Sequence, residues 1–184
     1  MRVPLKAHPD TPPAIPFAVE VELSILGAGK LKLHYSVIGS LGELSFPKAS
    51  APERRGELWQ HTCFEAFIRP ESGKSYYEFN FSPSGEWAAY SFTGHRTGMA
   101  SPPEMLAPGT ETRFHHDRFE LLTALELAPL QGLARASMWQ IGISAILEQA
   151  GGERTFWALA HPPGDPDFHH SDCFALKLAA PNGP

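Results

Sequence analysis

LWQHTCFEAFI (residues 58–68) and SYYEFNFSPSGEWAAYSF (residues 75–92) decide the fold class of this chain. Side chains alternate between the two faces of a strand. Read as a strand, Leu58–Ile68 puts Trp59, His61, Cys63, Glu65 and Phe67 on one side and Thr62, Phe64, Ala66 and Ile68 on the other. In the second stretch Tyr77, Phe79 and Phe81 share a side, opposite Tyr76, Glu78 and Asn80. The breaker Ser82–Pro83–Ser84–Gly85 marks a turn. A two-residue turn at Pro83–Ser84 predicts a hairpin with Asn80 across from Trp87, Glu78 across from Ala89, and Tyr77 facing Tyr90.

The same reading extends outward. Strands are expected at Phe17–Leu26, Lys30–Ile38, Leu58–Ile68, Ser75–Ser82, Glu86–Thr93, Arg118–Leu127, Ser137–Gln149, Arg154–Ala160 and Cys173–Leu178, with a short one at Arg113–His116. Gly27–Ala28–Gly29 reads as a hairpin turn and Pro129–Leu133 as one helical turn. No long amphipathic helix is visible, and the Trp and Ile content of Ser137–Gln149 favours strand. Many short strands separated by Gly and Pro predict an all-β protein, a sandwich or barrel. Residues 17–178 are expected to form a single β-sandwich ligand-binding domain, between a loosely held head, residues 1–16, and a tail, residues 179–184.

Composition narrows the function. The chain has 184 residues, 42% of them hydrophobic, and 12 Phe, enough for one packed core. Its net charge is −5 with no basic run, which disfavours nucleic acid and membrane surfaces. The start, Met1–Arg2–Val3–Pro4–Leu5–Lys6, has no apolar signal region, so a cytoplasmic location is expected. Cys63 and Cys173 are then expected as free thiols.

The aromatic, imidazole, carboxylate and carboxamide groups gathered on one strand face suit a polar, ring-shaped ligand: flat surfaces for stacking and fixed groups for hydrogen bonding. The expected ligand-binding set is Trp59, His61, Glu65, Tyr76, Glu78, Asn80, Trp87, Arg96, His169 and Asp172. Trp59 and Trp87 would stack. His61, Glu65, Glu78, Asn80 and Arg96 would hydrogen-bond, with His169 and Asp172 closing the rim. The proline-rich loop His161–His170 would pre-order that rim. The partner is a small molecule, a sugar or sugar derivative, with no cofactor and no catalytic residue assigned.

Two other classes stay open. His61 with His169 or His170 would serve a haem or divalent-metal protein, although no HxH or HExxH spacing is present. Glu65 and Glu78 would serve a hydrolase as the carboxylate pair that glycosidases require. No GxSxG, P-loop or GxGxxG-to-helix pattern occurs.

LWQHTCFEAFI, YYEFNFSPSGEWAAYSF, GHRTGM and WALAHPPGDPDFHHSDCFAL resemble the stand-alone bacterial DOMON-like proteins, which are related to the family 9 carbohydrate-binding modules. The resemblance runs from about Phe17 to Leu178. It implies a two-sheet antiparallel β-sandwich of immunoglobulin or jelly-roll style, and a role in sugar binding or, in cytochrome-type members, haem binding. Trp59 and Trp87 match the sugar-stacking aromatic side chains, and Met99 with His61 or His169 matches the haem ligands. The modules carry an acidic pair just before the strand's glutamate, whereas here His61–Thr62–Cys63–Phe64 precedes Glu65.

Overall fold

The computed structural model describes residues 1–27 and 29–181. Its strands are β1 (Arg2–Ala7), β2 (Phe17–Ile25), β3 (Lys30–Gly39), β4 (Leu44–Ser45), β5 (Cys63–Pro70), β6 (Tyr76–Phe81), β7 (Trp87–Phe92), β8 (Gly109–Phe114), β9 (Arg118–Glu126), β10 (Met138–Gln149), β11 (Arg154–Ala158) and β12 (Leu176–Ala179). The one α-helical turn among the described residues, α1 (Gln131–Ala134), falls where Pro129–Leu133 predicts it. Ala28 of the expected turn and residues 182–184 of the expected tail lie outside the described residues.

All strand pairs are antiparallel, and the chain is all-β. The hydrogen-bonded order is β7-β6-β5-β10-β11-β1-β2-β3-β9-β8, with β4 and β12 adding to β10. The two sheets expected from the sequence are thus one continuous, curled path. The join is β1, in the head expected to be loose. Arg2–Leu5 pair with β2, and Lys6 and Ala7 pair with β11. Pro4 is tolerated because this half of β1 pairs on one side only.

The curl brings two alternating apolar faces together. Leu31, Leu33, Tyr35 and Val37 of β3 meet Phe64, Ala66 and Ile68 of β5 in one core, joined by Phe119 and Leu121 of β9 and Trp139 and Ile141 of β10. The Tyr35 and Phe64 ring centroids are 5.1 Å apart, and the Tyr35 hydroxyl donates to Glu65 O at 2.8 Å. Each of the larger side chains here, fully buried, contributes on the order of 2 kcal/mol.

The other face of the β5–β6–β7 region is also covered. Phe67, Tyr76, Phe92, Ile146, Phe168 and Phe174 form a second buried cluster beneath the loops that follow β7 and β11. This second layer positions the site.

Two local departures from the sequence reading matter. First, β5 begins at Cys63, not Leu58, because Glu57 turns into the left-handed region (φ 63°) and Leu58–Gln60 form a 3₁₀ turn. Thr62 anchors the strand's start, donating to Ser45 O at 2.6 Å and accepting from Glu148 N at 3.0 Å. Second, the β6–β7 loop closes through Ser82 N–H to Glu86 O at 2.9 Å, with Gly85 at φ 97°. The loop is longer than the two-residue turn, so every partner moves by one. Phe81 faces Trp87, Asn80 faces Ala88, and Glu78 faces Tyr90. A one-residue shift flips a strand's faces. Trp87 therefore enters the inner core, while Tyr90 and Phe92 come out beside Glu78. In the same way Cys173 belongs to a 3₁₀ turn, and β12 starts only at Leu176.

Candidate functional site

A cleft of about 650 Å³ opens on the outer face of β5, β6 and β7. Its floor holds Glu65 of β5 and Glu78 of β6, with Tyr90 and Phe92 of β7. Ile146 of β10 and Phe156 of β11 extend the floor. Three loops make the walls: Gly56, Glu57 and Trp59 from one, Arg96 and Met99 from the second, and Pro166, Phe168 and His169 from the third.

The carboxylates sit deep. Glu65 is 3% exposed and Glu78 is 6% exposed. Alternation places both on one face of neighbouring strands, Glu65 opposite Asn80 and Glu78 opposite Phe67. Glu65 Oε2 accepts from Ser144 Oγ at 3.1 Å, and Glu78 Oε1 accepts from Asn80 Nδ2 at 2.7 Å. Burial first, then the neighbouring Glu78, pushes the Glu65 carboxyl up to about 8, against the Ser144 hydrogen bond and Arg96. Burial also raises Glu78, opposed by Asn80 and Arg96. Burial thus favours the protonated form of Glu65 near neutrality.

A polar relay lines the wall beside them. Arg96 N donates to the Tyr76 hydroxyl at 3.2 Å, and that hydroxyl lies 2.7 Å from His169 Nδ1. The direction of the Tyr76–His169 bond follows the imidazole tautomer, and the other ring nitrogen, Nε2, lies 3.6 Å from Glu78 Oε2. Burial, then Arg96, lowers the His169 pKa to about 4, so its imidazole is neutral.

The second and third loops are tied by Asp167. It accepts from Arg96 Nη2 at 2.8 Å and Nε at 3.1 Å, from His95 Nε2 at 2.7 Å, and from His169 N at 3.2 Å. Although burial raises it, the hydrogen bonds from His95 and Arg96 hold Asp167 below its ordinary value. Arg96 reaches this position from a left-handed backbone (φ 52°).

Of the residues expected from the sequence, Trp59, Glu65, Glu78, Arg96 and His169 line one cleft. Tyr76 and Asn80 lie buried beside it and hold His169 and Glu78. Three are elsewhere. Trp87 is 6% exposed in the inner core, with the Arg54 guanidinium 4.6 Å from its ring. His61 leaves the strand and pairs with Glu148 Oε2 at 2.9 Å. Asp172 is exposed, and its backbone N–H is capped by His170 Nδ1 at 3.3 Å. Cys63 and Cys173 are free and buried. Among the described residues no group of three or more His, Cys, Asp or Glu is arranged to hold a metal ion.

Four aromatic rings of the cleft, Tyr90, Phe92, Phe156 and Phe168, escaped the sequence reading. Tyr90 and Phe92 share period two with Glu78 once the hairpin loop has its true length. Phe156 alternates with the inward Trp157, an available signal. Phe168 comes from an irregular loop and carries none.

No family model matches the chain, and no curated protein matches it. Solved structures do. A protein from Bacteroides uniformis ATCC 8492, provisionally named for carbohydrate binding, aligns with a TM-score of 0.72 at 18% identity over 97% of this chain and 85% of its own. A family 9 carbohydrate-binding module from Caldicellulosiruptor kristjanssonii in complex with glucose aligns with a TM-score of 0.56 at 9% identity, over 92% of this chain and 75% of the module. A cellotriose complex of a family 9 module from the same organism aligns with a TM-score of 0.52 at 8% identity, over 92% and 73%. At these identities the similarity is one of fold.

Proposed function

We propose that the chain is a non-catalytic binding domain for a carbohydrate or similar polar small molecule, held in the cleft over β5, β6 and β7. One observation carries this: buried carboxylates at the floor of a cleft lined by Trp59, Tyr90, Phe92, Phe156 and Phe168. Ring faces take the apolar C–H patches of a sugar, and Glu65, Glu78, Arg96 and His169 take its hydroxyls. The sugar-bound modules of similar fold support this ligand class. For the curled sheet we propose the DOMON-like β-sandwich type that the sequence resemblance implies.

The test is calorimetric titration with a panel of mono- and oligosaccharides. Trp59→Ala, which removes an exposed ring from the rim, should weaken binding about tenfold or more without changing the fold. Unchanged affinity in that variant would remove Trp59 from the site. Lack of binding across the whole panel would end the carbohydrate reading.

A haem reading has one observation in its favour: Met99 and His169 line the same cleft. Against it, Tyr76 occupies His169 Nδ1 and Nε2 faces Glu78. A Soret band after incubation with haemin, lost in Met99→Ala, would favour it.

A further inference from the structure

Within the reading of this cleft as a ligand site, we propose that it selects molecules bearing an ammonium group, an amino sugar if the ligand is a carbohydrate. Glu65 lies almost wholly out of water and lines the cleft, yet among the described residues only Ser144 reaches its side chain, at Oε2. Oε1 is left for the occupant. Glu78 Oε2 has only the 3.6 Å contact with His169. Asn80 Oδ1, buried beside them on the same strand face and behind the cleft lining, also has no hydrogen-bond partner among the described residues. The free Glu65 and Glu78 oxygens are the ones an occupant of the cleft can meet, and unpaired acceptors are costly to bury. A sugar hydroxyl supplies one O–H, whereas an ammonium supplies three N–H donors and no acceptor.

The charges point the same way. Glu57, Glu65 and Glu78 line the cleft, and Arg96 is its only lining cation among the described residues. Arg96 is already held by Asp167 through two hydrogen bonds. His95 is also spent on Asp167, and His169 is neutral. Arg154 leans over Phe156 at 5.9 Å but lines a separate depression. An anionic ligand would meet these glutamates with Arg96 already engaged by Asp167. A cation would be drawn to this acidic floor and gain the faces of Tyr90, Phe92 and Phe156. The Glu65 carboxyl, pushed up to about 8, holds a proton in the empty cleft that an arriving ammonium displaces. In balance, the Glu65 carboxylic acid and R–NH₃⁺ give the carboxylate–ammonium pair and one released H⁺.

Calorimetry at about pH 6.5, where most amines are protonated, compares two matched pairs: glucosamine against glucose, and cyclohexylamine against cyclohexanol. Each is run on the native chain and on Glu78→Gln, which keeps shape and removes charge. The expected result is amine binding about tenfold tighter than its alcohol counterpart, shrinking to about threefold or less in the variant. Repeating in buffers of different ionisation enthalpy should read proton release on amine binding. Glucose equal to glucosamine overturns ammonium selection and leaves the carbohydrate reading standing. Cyclohexylamine bound over cyclohexanol while both sugars fail upholds ammonium selection and ends the carbohydrate reading. Amine preference in neither pair overturns the inference.

Discussion

Glu65 governs how the folded chain responds to pH. Its carboxyl faces Glu78, Arg96 and Ser144, and its folded pKa of about 8 lies far above the usual 4.5. Between those values the folded state holds a proton the unfolded chain has lost, so stability falls as pH rises towards 8. His169 works in the opposite sense. Its folded pKa of about 4 lies below the ordinary 6.5, so stability falls as pH drops through that window. The two slopes oppose each other from about 4.5 to 6.5, Glu78, also raised by burial, adds to the Glu65 sense, and above about 6.5 the His169 slope is gone. Thermal melts of the native chain should therefore lose stability above about pH 6.5, on the order of 2 kcal/mol or more by about pH 8. Glu65→Gln should reduce the loss above pH 6.5 and steepen the His169 slope below it. Parallel curves for the two proteins would mean that Glu65 ionises normally. The tryptophans part in the same way. Trp87→Ala opens the inner core and should cost about 3–5 kcal/mol, whereas Trp59→Ala, at an exposed rim, should change stability by only about 0.5 kcal/mol. Chemical denaturation of both variants checks this.

At the scale of elements, the site depends on two loops clamped by one carboxylate. Asp167 joins Arg96 and His95 to the third loop and accepts from the His169 backbone. Asp167→Ala should raise amide exchange across residues 94–100 and 161–170 while costing about 1–3 kcal/mol globally. It also frees the Arg96 charge towards the cleft, so amine affinity should fall more than stability does. Unchanged exchange in both loops would show the clamp to be incidental. What could be read beforehand followed the range of each interaction. Alternation in Tyr76–Phe81 sorted that strand's faces correctly, because period two is a local property. The face of β7 hung on loop length, which Pro83 and Ser84 do not encode alone. That error put Trp87 in the site and left Tyr90 and Phe92 out of it. Trp59 and His61 were carried onto β5 by an alternation that runs back to Leu58, whereas Leu58–Gln60 form a 3₁₀ turn after the left-handed Glu57 and strand geometry begins only at Cys63. Glu65, Glu78, Arg96 and His169 were legible as chemistry, but their convergence is a tertiary fact.

For the whole molecule, the critical feature is that one short strand closes the curl. β1 continues the β2 edge with its first half and the β11 edge with its second, and the pairing runs on through Met1 O to Leu23 N–H and His8 N–H to Phe156 O. Leu5, 5% exposed, plugs the core between them. Without β1, two edges with apolar inner faces would open side by side, one of them ending at Phe156 under the cleft. Exposed edges of this kind invite pairing with other chains. A chain starting at residue 8 should therefore melt well below the native chain, unfold with a shallower denaturant dependence, and self-associate on heating. Leu5→Asp should reproduce the lower melting temperature, at a cost of about 3 kcal/mol or more, with both edges still paired. If the shortened chain melted within about 2 °C of the native one and stayed monomeric, the curled sheet would hold without its join, and the two halves would be stabilised by their facing cores alone.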